Sequence, residues 1–424
     1  MQLLCVNGPC RISGEVCISG AKNAVLPILA ASILCREPVI LHNCPDLSDV
    51  THTVQMLDNL GCRIKRQNDT LYIDSSEITA DCPGRENAGK MRASVLLLGA
   101  LLARTNCAQL ALPGGCPLGA RPIDLHLDAL RKLGAQIKQM DTMLLAECSR
   151  FVGCRINLPY PSVGATENVL LAAVTAEGTT ELYGAAIEPE IDDLIAFLNA
   201  AGAKIRREGR HFTIVGVKKL HSVQYKIMPD RIETATFLCA AAGCGGKMTV
   251  QNTKPEYIKP VLRILREAGC EIKSDRSAIT IHADGKLQMP EYIETAPYPA
   301  FPTDAQALIT AAFLKAQGQM ILRETVFENR FLHIAQMQKL GAELYVQDDC
   351  VFLTGTDRLH GSIVTAKDLR AGAALTIAAM QAEGRSVIFG AEHLMRGYEA
   401  FAEKFRQLGC SIHFAKIKRS ACII

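Results

Sequence analysis

A thiol in a loop rich in chain breakers, and a set of cations and carboxylates ahead of apolar segments, are the residues best suited to chemistry in this chain. Cys116 lies in Leu112-Pro113-Gly114-Gly115-Cys116-Pro117-Leu118-Gly119-Ala120-Arg121-Pro122, where three glycines and three prolines exclude a regular helix or a central strand. Arg121 follows five residues on and favours the thiolate, the reactive form of a cysteine. Loops that carry a nucleophile or proton donor and enclose a substrate are a common catalytic device. The same cysteine also reads as a small apolar filler of a turn, since the chain holds 17 cysteines. The second set opens alanine-rich apolar stretches: Lys22-Asn23, Arg92, Ser162-Val163-Gly164, Asp230-Arg231, Thr303-Asp304 and Asp368-Leu369-Arg370. Helix N-termini present free N–H groups and partial positive charge, so they attract anions. Together with Arg121, Arg330 and Arg396, these openings predict a cleft suited to a phosphorylated or carboxylated substrate. Singly, each aspartate or arginine reads equally as a helix cap or a surface ion pair.

The elements that must position these residues recur. Leu60-Gly61-Cys62-Arg63-Ile64 returns as Leu133-Gly134-Ala135-Gln136-Ile137, Ala201-Gly202-Ala203-Lys204-Ile205, Ala268-Gly269-Cys270-Glu271-Ile272, Leu340-Gly341-Ala342-Glu343-Leu344 and Leu408-Gly409-Cys410-Ser411-Ile412. The six glycines are spaced by 73, 68, 67, 72 and 68 residues, which makes the chain six copies of one repeat. In each copy a helix stops at the glycine and a hairpin follows. The first hairpin is predicted as Arg63–Arg66 and Thr70–Asp74, the fifth as Glu343–Gln347 and Cys350–Thr354. Ahead of this comes another helix and strand, such as Ala24–Cys35 then Pro38–His42, or Thr234–Gly245 then Lys247–Gln251. These leading helices are apolar nearly all round, which places them inside, while the alternating strands are half exposed and lie outside. Cys62, Cys270 and Cys410 stand at the alanine position of the repeat and read as core filler.

Composition narrows the classes further. With 424 residues, 49% hydrophobic and 21% charged, the chain is a folded α/β protein of two or three domains. A net charge of +3 without a basic tract argues against nucleic-acid binding. No apolar stretch reaches the length of a bilayer span and the N-terminus lacks a signal-like basic region, so a cytoplasmic location without membrane contact is expected. His126 and His393 belong to no metal spacing, and neither a Walker loop nor a Rossmann glycine fingerprint is present.

Read together, several motifs resemble one family over the full chain and in order. They are Ser19-Gly20-Ala21-Lys22-Asn23, Met91-Arg92-Ala93-Ser94, the Cys116 loop through Arg121-Pro122-Ile123-Asp124-Leu125-His126, and Pro161-Ser162-Val163-Gly164-Ala165-Thr166. Pro229-Asp230-Arg231-Ile232-Glu233-Thr234, Phe301-Pro302-Thr303-Asp304, Val326-Phe327-Glu328-Asn329-Arg330 and Arg396-Gly397-Tyr398-Glu399 complete the set. The chain closely resembles the UDP-N-acetylglucosamine enolpyruvyl transferases, which open peptidoglycan synthesis. The resemblance implies the enolpyruvyl-transferase fold, a two-domain inside-out α/β barrel of six repeats, with residues 1–21 plus 230–424 in one domain and 22–229 in the other. It places the active site in the cleft between them. The implied reaction moves the enolpyruvyl group of phosphoenolpyruvate to the 3-hydroxyl of UDP-N-acetylglucosamine and releases phosphate, by addition and then elimination. It needs no metal, no cofactor and no protein partner.

Residue roles follow from the same resemblance. Cys116 corresponds to the proton donor to phosphoenolpyruvate and the thiol alkylated by fosfomycin. Lys22, Arg121 and Arg396 correspond to cations that hold phosphoenolpyruvate. Asn23, Arg92, Arg121, Pro122, Ile123, Asp124, Leu125, Ser162, Val163, Gly164, Asp304 and Val326 match positions around the nucleotide sugar, and Arg330 and Arg370 join the substrate-binding set. Asp304 corresponds to the general base. Tyr160 and Met395 depart from the family pattern, where some members carry a lysine and many an aspartate, respectively. The nearest alternative is an enolpyruvylshikimate-phosphate synthase, against which the Cys116 loop argues. A catalytically silent repeat scaffold is the alternative of another class.

Overall fold

The computed structural model describes residues 2–84, 91–112 and 122–416. Cys116 and Arg121 lie outside the described residues. Two compact units share the chain: a terminal unit of residues 2–19 with 229–416, and a central unit of the described residues between 20 and 228.

Each repeat makes the same small sheet. In the fifth, Gln319–Arg323 lies between Tyr292–Glu294, parallel to it, and Cys350–Thr354, antiparallel, with Gln319 opposite Thr354. Glu343–Gln347 then pairs with Cys350–Thr354 around Asp348 and completes the hairpin with the predicted bounds. Five sheets of this kind have four described strands and the sixth has three, and none closes on itself. The repeat glycines explain the period. Gly61, Gly134, Gly202, Gly269, Gly341 and Gly409 all have φ between 89° and 116°, where a side chain is strained, so glycine ends each outer helix and starts the turn into the hairpin.

Six inner helices lead the repeats: Lys22–Ser32, Leu96–Thr105 and Val163–Ala173 in the central unit, Arg231–Cys244, Thr303–Ala312 and Leu369–Gln381 in the terminal unit. Within each unit the three pack on one another behind the sheets. Alanine and glycine allow that approach, and Phe237 and Phe313 fill the remaining space without exposure. Cys62, Cys270 and Cys410 are buried, as the repeat position predicts. The inner helices begin earlier than their apolar runs suggest, at Lys22 rather than Ala24 and at Arg231 rather than Thr234. Polar residues of the first turn are helical here because neighbouring charges hold them.

Two features exceed the simple repeat. The last hairpin lacks a second strand of its own, and Gln2–Gly8 supplies it, with Leu4 opposite both Phe414 and Ile388. The parallel edge strands are also exchanged where the chain leaves and re-enters the terminal unit. Ile12–Cys17 precedes the Lys22 helix yet pairs with Gly246–Gln251, and Val223–Lys226 precedes the Arg231 helix yet pairs with Val39–His42. Among the described residues no helix is long and apolar enough to cross a membrane.

Candidate active site

In the terminal unit the first turns of all three inner helices contribute to one charged cluster. Asp230 caps the Arg231–Cys244 helix through Oδ1, which accepts from the N–H groups of Ile232 and Glu233 at 2.7 and 2.9 Å. Asp368 caps the Leu369–Gln381 helix in the same way. Between them Asp304, in the first turn of Thr303–Ala312, accepts from Arg330 Nη2 at 2.7 Å and lies 3.5 Å from Arg370 Nε. Arg231, Arg330 and Arg370 are buried, while the Asp304 side chain keeps 29% exposure. Burial pushes the Asp304 pKa up, but Arg370, Arg330 and Arg231 outweigh it and hold the carboxyl well below the usual carboxylate range. Asp304 is therefore an ionised acceptor with a face toward solvent.

Several groups that the sequence reading did not single out fix this cluster. The Tyr398 hydroxyl accepts from Arg370 Nη1 at 3.2 Å and bonds Thr236 Oγ1 at 2.8 Å. His333 is buried and hydrogen-bonds the backbone of Arg330, and burial pulls its pKa down to about 4. Glu324 is buried and accepts from Thr303 Oγ1 at 2.8 Å and from the N–H groups of Val326 and Phe327 at 2.8 and 3.1 Å. One carboxylate thus ties the Val326 loop to the helix turn that carries Asp304. The signal was present: Met320, Leu322 and Glu324 alternate on the inward face, and an inward glutamate needs partners. Arg396 ends the short helix Ala391–Arg396, two residues before Tyr398.

The central unit carries its predicted residues at or beside the openings of its inner helices. Lys22 Nζ pairs with the buried Asp49 at 2.6 Å, and Asn23 follows in the same first turn. Arg92 opens a 3-10 turn and donates through Nη2 to the Pro122 carbonyl at 2.8 Å. That bond ties the first inner-helix turn to the Pro122-Ile123 segment leading into the Asp124–Lys132 helix, on which Asp124 is exposed and Leu125 is half-buried. Ser162 caps Val163–Ala173 through a 3.4 Å bond from Ala165 N. Gly164 is required there, because a Cβ would lie 2.7 Å from His126 Cε1. His126 is a core histidine: its Nδ1 meets Asn168 Nδ2 at 2.9 Å, and Asn168 also bonds Val95 O and Gly99 N. The structure brings Asp304, Arg330 and Arg370 together. Tyr160 and Met395, the two departures, are both exposed. Among the described residues no group of three or more His, Cys, Asp or Glu side chains has the arrangement of a metal site.

Comparisons with known proteins agree in kind. The family model of EPSP synthase (3-phosphoshikimate 1-carboxyvinyltransferase) matches residues 6–405. A UDP-N-acetylglucosamine 1-carboxyvinyltransferase of Cronobacter sakazakii is 45% identical over 413 residues, 97% of this chain and 98% of the relative. UDP-N-acetylglucosamine 1-carboxyvinyltransferase 2 of Caldanaerobacter subterraneus subsp. tengcongensis is 42% identical over 409 residues, 96% and 98% of the two chains. Among solved structures, the enolpyruvyl transferase NikO of Streptomyces tendae superposes with a TM-score of 0.89 at 26% identity, covering 98% of this chain and 99% of that one. EPSP synthase of Acinetobacter baumannii shares the fold, with a TM-score of 0.76 at 20% identity over 98% and 100% of the chains. Six repeats, charged inner-helix openings and these full-length matches converge: the chain belongs to the EPSP synthase family of enolpyruvyl transferases.

Proposed function

We propose that this protein transfers the enolpyruvyl group of phosphoenolpyruvate to the 3-hydroxyl of UDP-N-acetylglucosamine and releases phosphate, the first committed step of peptidoglycan synthesis. The observation that carries the acceptor is full-length identity of 42–45% to UDP-N-acetylglucosamine 1-carboxyvinyltransferases, against 20% to a shikimate-type relative. The Cys116 loop favours the same acceptor.

In this reading Asp304 takes the proton of the attacking hydroxyl. Its arginine partners lower its basicity, so the transfer comes late, once bond formation to carbon has made the hydroxyl proton strongly acidic. Arg330 and Arg370 hold that carboxylate and contribute charge toward the sugar phosphates. Lys22, Arg121 and Arg396 neutralise the phosphate and carboxylate of phosphoenolpyruvate, a role for which Lys22 is steadied by Asp49. Cys116 delivers the proton to the methylene carbon in the addition step. Asn23, Arg92, Pro122, Ile123, Asp124, Leu125, Ser162, Val163, Gly164 and Val326 receive the nucleotide sugar. The test is phosphate release from phosphoenolpyruvate. It is expected only when UDP-N-acetylglucosamine is present, and release that responds to shikimate 3-phosphate instead would overturn the reading.

A further inference from the structure

The opposite ends of the three inner helices of the central unit open on a cavity of about 470 Å3 that the transfer reaction does not use. Leu34, Ala103 and Thr175, at or just past those helix ends, form part of its wall, and Arg36, Arg104, Arg150, Lys218 and Lys219 line it. One lining carboxylate, Glu177, pairs with Arg150 at 3.0 Å, and Glu37 sits near Lys219. Arg104 is held by the carbonyls of Ser75 and Ser76, each at 2.9 Å. Burial, and then the neighbouring Arg36, push its pKa down, as expected where like charges crowd.

Cations at helix C-termini commonly serve to offset the dipole, and that explanation falls short here. Three helix ends supply roughly half a negative charge each. Adding the two carboxylates still leaves about one and a half positive charges uncompensated. The terminal unit makes the same point by contrast. Its inner helices carry no basic residue in their last turns, whereas in the central unit the Leu96–Thr105 helix carries Arg104 there. Gly216 and Val217 bond Gly178 and Val174 as Gly355 and Thr356 bond Gly318 and Leu314, which aligns Lys218-Lys219 with Asp357-Arg358. The fold is built equally well without the lysine pair.

We propose that this cavity is a second anion site, taking a small molecule with two or more phosphate groups. Its volume suits a ligand of nucleotide size, and a cation-lined concavity focuses field on such a group. Titration calorimetry with tripolyphosphate near physiological salt tests it, on the full chain and on the double variant Lys218→Glu/Lys219→Glu. Expected is a saturable site with a Kd below about 1 mM, weakened at least about tenfold in the double variant, with phosphate-release activity and thermal unfolding unchanged. Lys218→Gln/Lys219→Gln, which removes charge without reversing it, is expected to fall between the two. Equal binding by wild type and double variant, no saturable binding, or citrate binding as tightly as tripolyphosphate would overturn the proposal.

Discussion

The helix openings of the two units use the same backbone device for different ends. In the terminal unit, Arg231 and Arg370 from two openings and Arg330 from a loop converge on the carboxylate that the third opening carries, and Arg330 and Arg370 are themselves held by His333 and Tyr398. In the central unit Lys22 pairs with Asp49, Arg92 donates to the Pro122 carbonyl and Ser162 accepts from the Ala165 N–H. A buried, mutually held cluster changes little when a ligand arrives, which suits a group that acts on the reacting atoms. The contrast marks Asp304 as a pre-set carboxylate, the feature that the proposed proton transfer requires.

The sharpest way to break this contrast is Asp304→Asn. The amide keeps shape and hydrogen bonding but accepts no proton, so turnover is expected to fall by about two to four orders of magnitude with the acceptor KM nearly unchanged. Steady-state phosphate release reads both constants, and near-normal turnover would remove Asp304 from the chemistry. Arg370→Ala comes next. It strips a buried cation from Asp304 and a donor from Tyr398, and is expected to cost about 3 kcal/mol in urea unfolding. A loss under 1 kcal/mol, on the order of a surface pair, would mean the cluster is not mutually held.

His333 gives a pH signature to the same cluster. Its ordinary pKa of 6.5 falls to about 4 in the fold because of burial. Between those values the unfolded chain binds a proton that the folded chain refuses. Stability is therefore lost as pH drops from 6.5 toward 4, by up to about 3 kcal/mol from this residue. His333→Gln removes that share of the slope, and parallel stability curves for the two proteins would contradict it. The smallest effect belongs to the central unit. Arg92→Ala is expected to change stability by less than about 1 kcal/mol and to raise the acceptor KM with little change in kcat. A large fall in kcat there would mean that Arg92 acts on the reacting atoms rather than on acceptor binding.

Much of this was legible in the residues. Six glycines at a near-constant spacing give the repeat because each must take a left-handed φ, and Asp304, Arg330 and Arg370 stand out as charges beside apolar helices. The use of Gln2–Gly8 to finish the last sheet was not legible, since pairing across the length of the chain leaves no local pattern. The exchange of Ile12–Cys17 and Val223–Lys226 between repeats is hidden for the same reason. Tyr398 acts through hydrogen bonds to Arg370 and Thr236, 28 and 162 residues away, and only three-dimensional placement exposes it, whereas the inward alternation ending at Glu324 was there to be read. The predictions for Cys116 and Arg121 fall outside the described residues.

Acceptor identity is the claim on which the rest depends, and a competition measures it most directly. The protein is incubated with phosphoenolpyruvate and equal amounts of UDP-N-acetylglucosamine and shikimate 3-phosphate, and both acceptors are weighed by mass spectrometry. The account predicts that the nucleotide sugar gains one carboxyvinyl group while shikimate 3-phosphate is recovered unchanged. A carboxyvinyl group on shikimate 3-phosphate, with the nucleotide sugar untouched, would contradict it.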